Sequence, residues 1–212
     1  MKLYGYFRSS AAYRVRIALN LKGIAYDQTF IHLRKGDQRS AEYLQVNRQG
    51  LVPTLVENGN ILGQSMAICE YLEETHPTPA LLPKDSLGRA RVRAICLAVA
   101  CEIHPLNNLR VLSYLGEGMG HDQAGRDRWY SHWIAEGFTG LEAMLAQSPA
   151  TGKFCHGEAP TFADCFLVPQ VANARRFNCD LSPFPTIQRI EAACNTLKAF
   201  QDAAPETQPD RE

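Results

Sequence analysis

The chain has 212 residues, of which 45% are hydrophobic and 21% are charged, a composition usual for a globular protein of one large domain or two small ones. Its 22 acidic residues balance 22 basic ones, so the basic surplus that a nucleic-acid or anionic-membrane partner requires is missing, and we expect neither partner. No apolar run approaches the ~20 residues of a membrane span, and the start is too short and polar for a signal peptide, so we expect a cytoplasmic protein.

The first part of the chain is predicted to alternate strands with helices. The predicted strands are residues 2–7, 25–33, 51–56 and 61–63, and the predicted helices are residues 11–22, 40–46 and 66–75. Asn58-Gly59 between the last two strands is a strong hairpin signal. The order β-α-β-α-β-β-α predicts a mixed sheet whose first two strands are parallel, because a crossover helix joins them.

The remainder of the chain is predicted to be helical. Three prolines mark a linker over residues 75–84. The predicted helices beyond it are residues 89–115, 122–147, 161–177 and 186–204. Thr161 and Asp164 form a capping-box pattern, and the polar tail over residues 203–212 is expected to fray. We therefore predict an α+β protein with an α/β domain over residues 1–81 and an all-helical domain over residues 87–212.

The strongest candidate site is the polar turn that precedes the first helix. Ser9 or Ser10 stands where an N-cap belongs, and a helix N-terminus favours an anion through its unpaired N–H groups and partial positive charge. Arg8, Arg14 and Arg16 add positive charge nearby. The turn is predicted either to bind an anion or thiolate with a serine hydroxyl, or to be an ordinary cap with a solvated basic face.

Three further polar clusters lie at the ends of predicted elements: Gln64-Ser65, the segment His104–Arg110 and Arg175-Arg176. Gln64-Ser65 is a second strand-to-helix junction that either caps a helix or binds a second anionic group. His104, Asn108 and Arg110 recur near helical spacing, so they line a cleft or accompany the helix bend at Pro105. The arginine pair suits a solvated helix end.

Metal and disulfide chemistry lack support in the sequence. The seven cysteines include no C-x-x-C pair, and the six histidines show no H-x-x-x-H or H-E-x-x-H arrangement. We predict neither a disulfide framework nor a metal site. Dinucleotide, P-loop and nucleophile-elbow motifs are also missing.

The first motif resembles that of a known family. Residues 7–19, Phe-Arg-Ser-Ser-Ala-Ala-Tyr-Arg-Val-Arg-Ile-Ala-Leu, are similar to the Ser-Ser-Cys-x-Trp-Arg-Val-Arg signature of zeta-class glutathione transferases, which include the maleylacetoacetate and maleylpyruvate isomerases. The similarity covers nearly the whole chain and includes Val-Pro-Thr-Leu, Gln-Ser-Met-Ala-Ile, Asn-Asn-Leu and Leu-Val-Pro-Gln-Val-Ala-Asn-Ala at residues 52–55, 64–68, 107–109 and 167–174.

The resemblance implies a thioredoxin-like N-terminal domain, a helical C-terminal domain, a homodimer and glutathione as co-substrate. It implies that Val52–Pro53 is cis and that the Val52 backbone pairs with the cysteinyl part of glutathione. Ser9 is expected to hydrogen-bond the sulfur, with Ser10 as its neighbour or substitute. The glutathione-binding residues expected from this resemblance are Ser9, Ser10, Ala11, Gln38, Val52, Pro53, Gln64, Ser65, His104, Asn108 and Arg110.

The implied reaction is reversible addition of the glutathione thiolate to a cis double bond, rotation, and elimination of the trans isomer. Ala11 replaces the family's cysteine, so no protein thiol assists at that position. The family's maleylacetoacetate isomerases tend to carry a small polar residue where Arg110 stands and an acid where Arg175 stands, and His104 replaces a glutamine. This more cationic pocket suggests that Arg8, Arg110 and Arg176 clamp maleylpyruvate, a compact keto-dicarboxylate.

Two other functions remain open at this point. The same thiol activation would serve a general glutathione transferase or peroxidase, and the fold could carry a catalytically idle ligand-binding protein. A glutaredoxin-like oxidoreductase is disfavoured, because the helix start offers Ser9, Ser10 and Ala11 and no cysteine.

Overall fold

Four short strands form one mixed sheet in a computed structural model that describes residues 1–212. The strands are β1 (Lys2–Gly5), β2 (Asp27–Phe30), β3 (Thr54–Glu57) and β4 (Asn60–Gly63). Their order is β2-β1-β3-β4, with β1 parallel to β2 and antiparallel to β3. Asn58 and Gly59 turn the β3–β4 hairpin with φ of 50° and 79°. The predicted mixed sheet and hairpin are confirmed.

The contacts divide the chain into two units, residues 1–82 with 195–212, and residues 83–194. The helices of the first unit are α1 (Ser10–Leu21), α2 (Ala41–Val46), α3 (Ser65–Thr75) and α9 (Lys198–Ala203). The helices of the second unit are α4 (Ser86–Leu97), α5 (Leu109–Ser113), α6 (Gln123–Ala146), α7 (Phe162–Arg176) and α8 (Pro185–Asn195). No helix is both long and apolar enough to cross a membrane.

Helix α1 is buried on nearly all sides. It packs against α3 and α9, and Val15, Ile17 and Leu19 are fully buried. Arg14 and Arg16 are also buried, each at 1% exposure. The alternative of a solvated basic face on this helix is therefore wrong, because tertiary packing covers the face that carries these arginines.

The C-terminal tail is ordered, and the expectation that it frays is wrong. Gln208 is buried, and its amide nitrogen donates to the carbonyls of Asp202 and Ala204 at 2.9 Å each. The Asp210 carboxylate accepts the Phe7 N–H at 2.9 Å. The Gln208 bonds are local, whereas the bond between Asp210 and Phe7 is long-range and ties the polar tail to the start of the chain.

Two long predicted helices are divided. The helix predicted over residues 89–115 becomes α4, a π-helical stretch at Ala98–Ile103, a turn, and α5 with a second π-helical stretch at Tyr114–Gly118. Pro105 lies in the turn, where its missing N–H and ring interrupt the helix. The helix predicted over residues 186–204 breaks into α8 and α9, and Gln201 Nε2 caps the Asn195 carbonyl at 2.8 Å.

The predicted capping box is present at the start of α7. The Thr161 side chain and the Asp164 carboxylate cap each other's backbone N–H groups, with Thr161 N donating to Asp164 Oδ2 at 2.7 Å. Asp164 is fully buried and also accepts the Cys155 N–H at 2.8 Å. Burial raises the pKa of this carboxyl, and the hydrogen bonds oppose that rise.

Candidate active site

The turn before α1 presents one accessible serine hydroxyl. Ser9 is the N-cap, with its Oγ accepting the Ala12 N–H at 3.2 Å and its own N–H donating to Tyr6 O at 2.9 Å. Ser9 is half-buried, whereas Ser10 is only 4% exposed. Because Ser9 Oγ accepts from the helix, its hydroxyl proton is available to an anion at the helix N-terminus.

The arginines around this turn differ in burial and in hydrogen bonding. Arg16 Nε donates to Ala203 O at 2.9 Å, and its Nη2 donates to Phe7 O at 3.1 Å. Burial lowers the pKa of Arg16 to about 10, so the guanidinium remains charged at neutral pH. Arg8 is half-buried over the Phe7 ring, 4.9 Å from its centroid, and forms no ion pair. Arg8 is therefore accessible to a ligand, whereas Arg14 and Arg16 are buried.

The segment before β3 leaves a backbone amide and carbonyl without partners. Val52–Pro53 is cis, as the resemblance implied. The ladder with β1 begins at Thr54, and neither the N–H nor the C=O of Val52 bonds to another backbone group. The preceding residue, Leu51, is fixed through its carbonyl by Tyr43 Oη at 2.6 Å and by a second side-chain donor. An extended peptide ligand can therefore pair with Val52.

The second strand-to-helix junction is strained. Gln64 has φ 68° and ψ 118°, a region that non-glycine residues rarely occupy. Its amide Nε2 donates to Gln49 Oε1 at 3.1 Å. Ser65 begins α3 and accepts from Arg14 Nη1 at 3.2 Å. This contact joins α3 to α1 one turn after Ser9, so both predicted helix N-termini belong to the same region of the first unit.

Gln38 and Ala11 are the remaining predicted positions in the first unit. Gln38 lies in a 3₁₀ turn at Asp37–Arg39, and its buried Oε1 has no partner in the protein. An orphaned buried amide oxygen is consistent with a ligand that donates to it. Ala11 is buried in the first turn of α1 and offers only its backbone.

The other predicted residues lie in the second unit, between α4 and α5 and at the end of α7. His104 Nε2 faces Asn108 Nδ2 at 3.5 Å, and Asn108 caps α5 by accepting the Arg110 N–H at 3.2 Å. Arg110 and Arg176 are exposed and form no ion pair. Arg176 Nη2 donates to the Asn173 side-chain oxygen at 3.3 Å, and its guanidinium lies 4.8 Å from the centroid of the Phe177 ring.

Arg175 differs from its neighbour, because Glu191 neutralises it. Arg175 Nε and Nη2 donate to the two oxygens of Glu191 at 3.0 Å and 2.5 Å. This pair raises the pKa of Arg175. Of the two adjacent arginines at the end of α7, only Arg176 has an uncommitted charge.

Comparison with known proteins identifies the family. The model of the glutathione S-transferase N-terminal domain matches residues 1–74. The maleylacetoacetate isomerase of Rattus norvegicus is 50% identical over 210 residues, which cover 98% of this chain and 94% of that one. The holo structure of a bacterial maleylpyruvate isomerase, a zeta-class glutathione transferase, has a TM-score of 0.98 and 50% identity over the full length of both chains. The chain belongs to the zeta class of glutathione transferases.

The maleylacetoacetate isomerase of Methylobacterium extorquens AM1, solved with bound malonate and glutathione, matches this zeta-class transferase with a TM-score of 0.97. The two are 40% identical, and the match covers 100% of each chain. The predicted family is confirmed, as is the predicted fold of a thioredoxin-like domain followed by helices.

The side chains that support the segment around Val52 in this transferase were not predicted from the sequence. Tyr43 and Asn47 both reach Thr54 Oγ1 at 2.9 Å as well as the Leu51 carbonyl. Asn47 also begins an Asx turn, accepting the Gln49 N–H at 3.0 Å. The Asn-x-x-Gly pattern ending at Gly50 was the available signal, and it indicates a turn without indicating what the turn supports.

Proposed function

We propose that this transferase catalyses the glutathione-dependent cis–trans isomerisation of maleylpyruvate or maleylacetoacetate to the fumaryl isomer. The comparisons confirm the enzyme class and the co-substrate, since relatives that are 50% identical are isomerases of these compounds and a related structure holds glutathione. The chain is 50% identical both to a maleylpyruvate isomerase and to a maleylacetoacetate isomerase, so identity does not distinguish the two substrates. The charged residues proposed to bind the substrate must therefore decide between them.

The observation that carries the proposal is the set of unpaired polar groups around the start of α1. The Ser9 hydroxyl, the Val52 backbone and the Gln38 amide oxygen each lack a protein partner for the hydrogen bond that glutathione would make. The strained Gln64 backbone marks a position that the fold holds at an energetic cost. A thiol, a peptide backbone and a γ-glutamyl group fit these sites.

Glutathione supplies a thiol that adds reversibly to the substrate double bond. The contribution of the chain is to favour the ionised sulfur: the N-terminus of α1 provides a partial positive charge, and Ser9 donates its hydroxyl proton. Ser9 is the better donor of the two serines, because Ser10 is buried. Gln64 and Ser65 are assigned to the γ-glutamyl end, and His104, Asn108 and Arg110 to further contacts.

The uncommitted cations suit a dicarboxylate. Arg8, Arg110 and Arg176 form no ion pair, and guanidinium groups bind carboxylates bidentately. They would also stabilise the negative charge that develops as the double bond is attacked. We assign them the substrate carboxylates and propose maleylpyruvate as the preferred substrate, because it is the more compact dianion.

We also propose the roles of the two domains, the oligomeric state and the cellular location. We assign glutathione binding mainly to a domain of residues 1–81 and substrate binding to a domain of residues 87–212. The last residues of that second domain, 195–212, belong to the first structural unit. A homodimer follows from the family resemblance. A cytoplasmic location is supported by the seven cysteines, all of which are free thiols, as expected in a reducing compartment.

The deciding experiment mixes pure protein with glutathione and either maleylpyruvate or maleylacetoacetate and follows formation of the fumaryl product. We expect turnover that requires glutathione, with a higher kcat/KM for maleylpyruvate. Turnover of neither compound would refute the isomerase assignment. A higher kcat/KM for maleylacetoacetate would refute only the assignment of substrate.

A further inference from the structure

We infer that Asp210 is a positioning residue for the thiolate-binding turn, so that the C-terminal segment supports the active site. The inference rests on the proposed function, because it assigns Asp210 a role in placing Ser9. Asp210 is far from Ser9 in the sequence and belongs to no motif that we identified. Its carboxylate accepts the N–H of Phe7, two residues before Ser9, at 2.9 Å.

Three backbone groups of the dipeptide Tyr6-Phe7 are held by hydrogen bonds: the two carbonyls and the Phe7 N–H. Arg16 donates to both carbonyls, with Nη1 3.5 Å from Tyr6 O and Nη2 3.1 Å from Phe7 O. The Tyr6 carbonyl also accepts the Ser9 N–H, which closes the turn. The Phe7 N–H donates to Asp210 Oδ2. Loss of the Asp210 bond would leave the Phe7 N–H without a partner and loosen the segment that leads into Ser9, although the Arg16 bonds would remain.

Asp210 is also the electrostatic complement of this buried segment. It is among the groups that favour the charged form of Arg16, and the same guanidinium donates to Ala203 O at 2.9 Å. The C-terminal segment therefore meets the turn twice, directly through Asp210 and through Arg16. Asp210 Oδ1 and the Tyr6 hydroxyl are both buried without a partner, so the carboxylate orientation depends on the bond to Phe7.

The segment that carries Asp210 is itself fixed. Gln208 accepts from Gln28 Nε2 at 3.3 Å, in addition to its bonds within the tail. Beyond Asp210, the Glu212 carboxylate pairs with His32 and lies 3.8 Å from Arg34 Nη1. Contacts on both sides of Asp210 hold the carboxylate against the segment that follows β1, as a positioning group requires.

The test compares Asp210→Ala, Asp210→Asn and the wild type by the ultraviolet titration of the glutathione thiol bound to the protein. Loss of positioning weakens the Ser9 hydrogen bond, so Asp210→Ala should raise the thiol pKa and lower kcat/KM by about tenfold. Asp210→Asn keeps an oxygen acceptor for Phe7 and should restore both values to near those of the wild type. Asp202→Ala, which removes an exposed carboxylate paired with Lys198 in the same segment, should change neither.

The direction in which the pKa of the glutathione thiol changes in Asp210→Ala distinguishes a positioning role of Asp210 from a direct effect of its charge. Removing a carboxylate near the sulfur would by itself lower the thiol pKa, since a like charge disfavours the thiolate. A lowered or unchanged pKa in Asp210→Ala would therefore overturn the inference, even where the melting temperature falls. Should Asp210→Ala fail to fold, slow hydrogen exchange of the Phe7 amide in the wild type supports the inference and fast exchange overturns it.

Failure of the isomerase assignment can be distinguished from failure of the inference about Asp210. The titration uses the complex of protein and glutathione without a second substrate. If the wild type binds glutathione but isomerises neither compound, the isomerase assignment fails while the thiol pKa still tests Asp210.

Discussion

Ser9 has a structural role and a proposed chemical role, both of which depend on its hydroxyl group. Its oxygen caps α1, and we propose that its proton is donated to the glutathione sulfur. Ser9→Ala should cost about 1 kcal/mol of stability through the lost cap, and should lower kcat/KM by about 10- to 100-fold through the lost charged hydrogen bond. Denaturation and steady-state kinetics measure the two effects.

Asp122→Ala is the matched control for the cap. Asp122 caps α6 by accepting the Gly125 N–H at 2.7 Å and is exposed. Its removal should reduce stability by a similar amount and leave kcat/KM unchanged. If Ser9→Ala behaves in the same way as this control, Ser9 is only a cap.

Arg110 offers the most direct test of the proposed substrate clamp, because it is exposed, forms no ion pair and lies near Asn108. Arg110→Ser should lower kcat/KM for maleylpyruvate by more than about tenfold, the scale of one charged hydrogen bond. Arg128→Ser removes an exposed arginine from α6 and should have little effect. An unchanged kcat/KM in Arg110→Ser would remove this residue from the clamp.

At the scale of elements, one buried ion pair fastens the end of α1 to α3 and to the segment after α3. Lys22 Nζ donates to Glu73 Oε2 and to His76 O at 2.7 Å each, and to Pro79 O at 3.0 Å. Glu73 in turn accepts the N–H of Leu81 at 3.0 Å. Every hydrogen of the ammonium group thus has an acceptor, which is what a buried charge requires.

Lys22→Met should destabilise the protein by about 3–5 kcal/mol, because it leaves the buried Glu73 carboxylate without its cation. Urea denaturation measures the change. Lys198→Met is the control, because the Lys198–Asp202 pair is exposed and should contribute no more than about 1 kcal/mol. Equal effects of the two substitutions would contradict the role of the buried pair.

At the scale of the whole molecule, the cysteines differ sharply in accessibility. Cys101 is exposed and Cys179 is half-buried, while the other five are buried. Burial raises the pKa of Cys179, and it raises that of the deeply buried Cys69 to about 12. The native protein should therefore have one fast-reacting thiol.

A thiol-specific reagent tests this at neutral pH. We expect one rapid equivalent from Cys101, a slower one from Cys179, and all seven after denaturation. Cys101→Ser should abolish the rapid phase and leave glutathione-dependent turnover intact. Rapid reaction of three or more thiols in the native protein would contradict the burial of the remaining cysteines.

Local patterns in the sequence determined the order of strands and helices, the β3–β4 hairpin, the cap at Ser9 and the capping box at Thr161. These features depend on residues within a few positions of one another, so periodicity and turn chemistry reveal them. The family motif added the candidate glutathione residues, and the structure identifies Ser9 as the accessible serine and Arg176 as the arginine with an uncommitted charge.

Only the tertiary structure decided which charges remain available. Arg14 and Arg16 read as solvated cations in the sequence, yet packing buries them and commits them to Ser65 and to backbone carbonyls. The bond between Phe7 and Asp210 spans 203 positions, a separation at which no local pattern can predict a contact. The turn at residues 8–10 is therefore specified by its own sequence as a helix start, and its support comes from the other end of the chain.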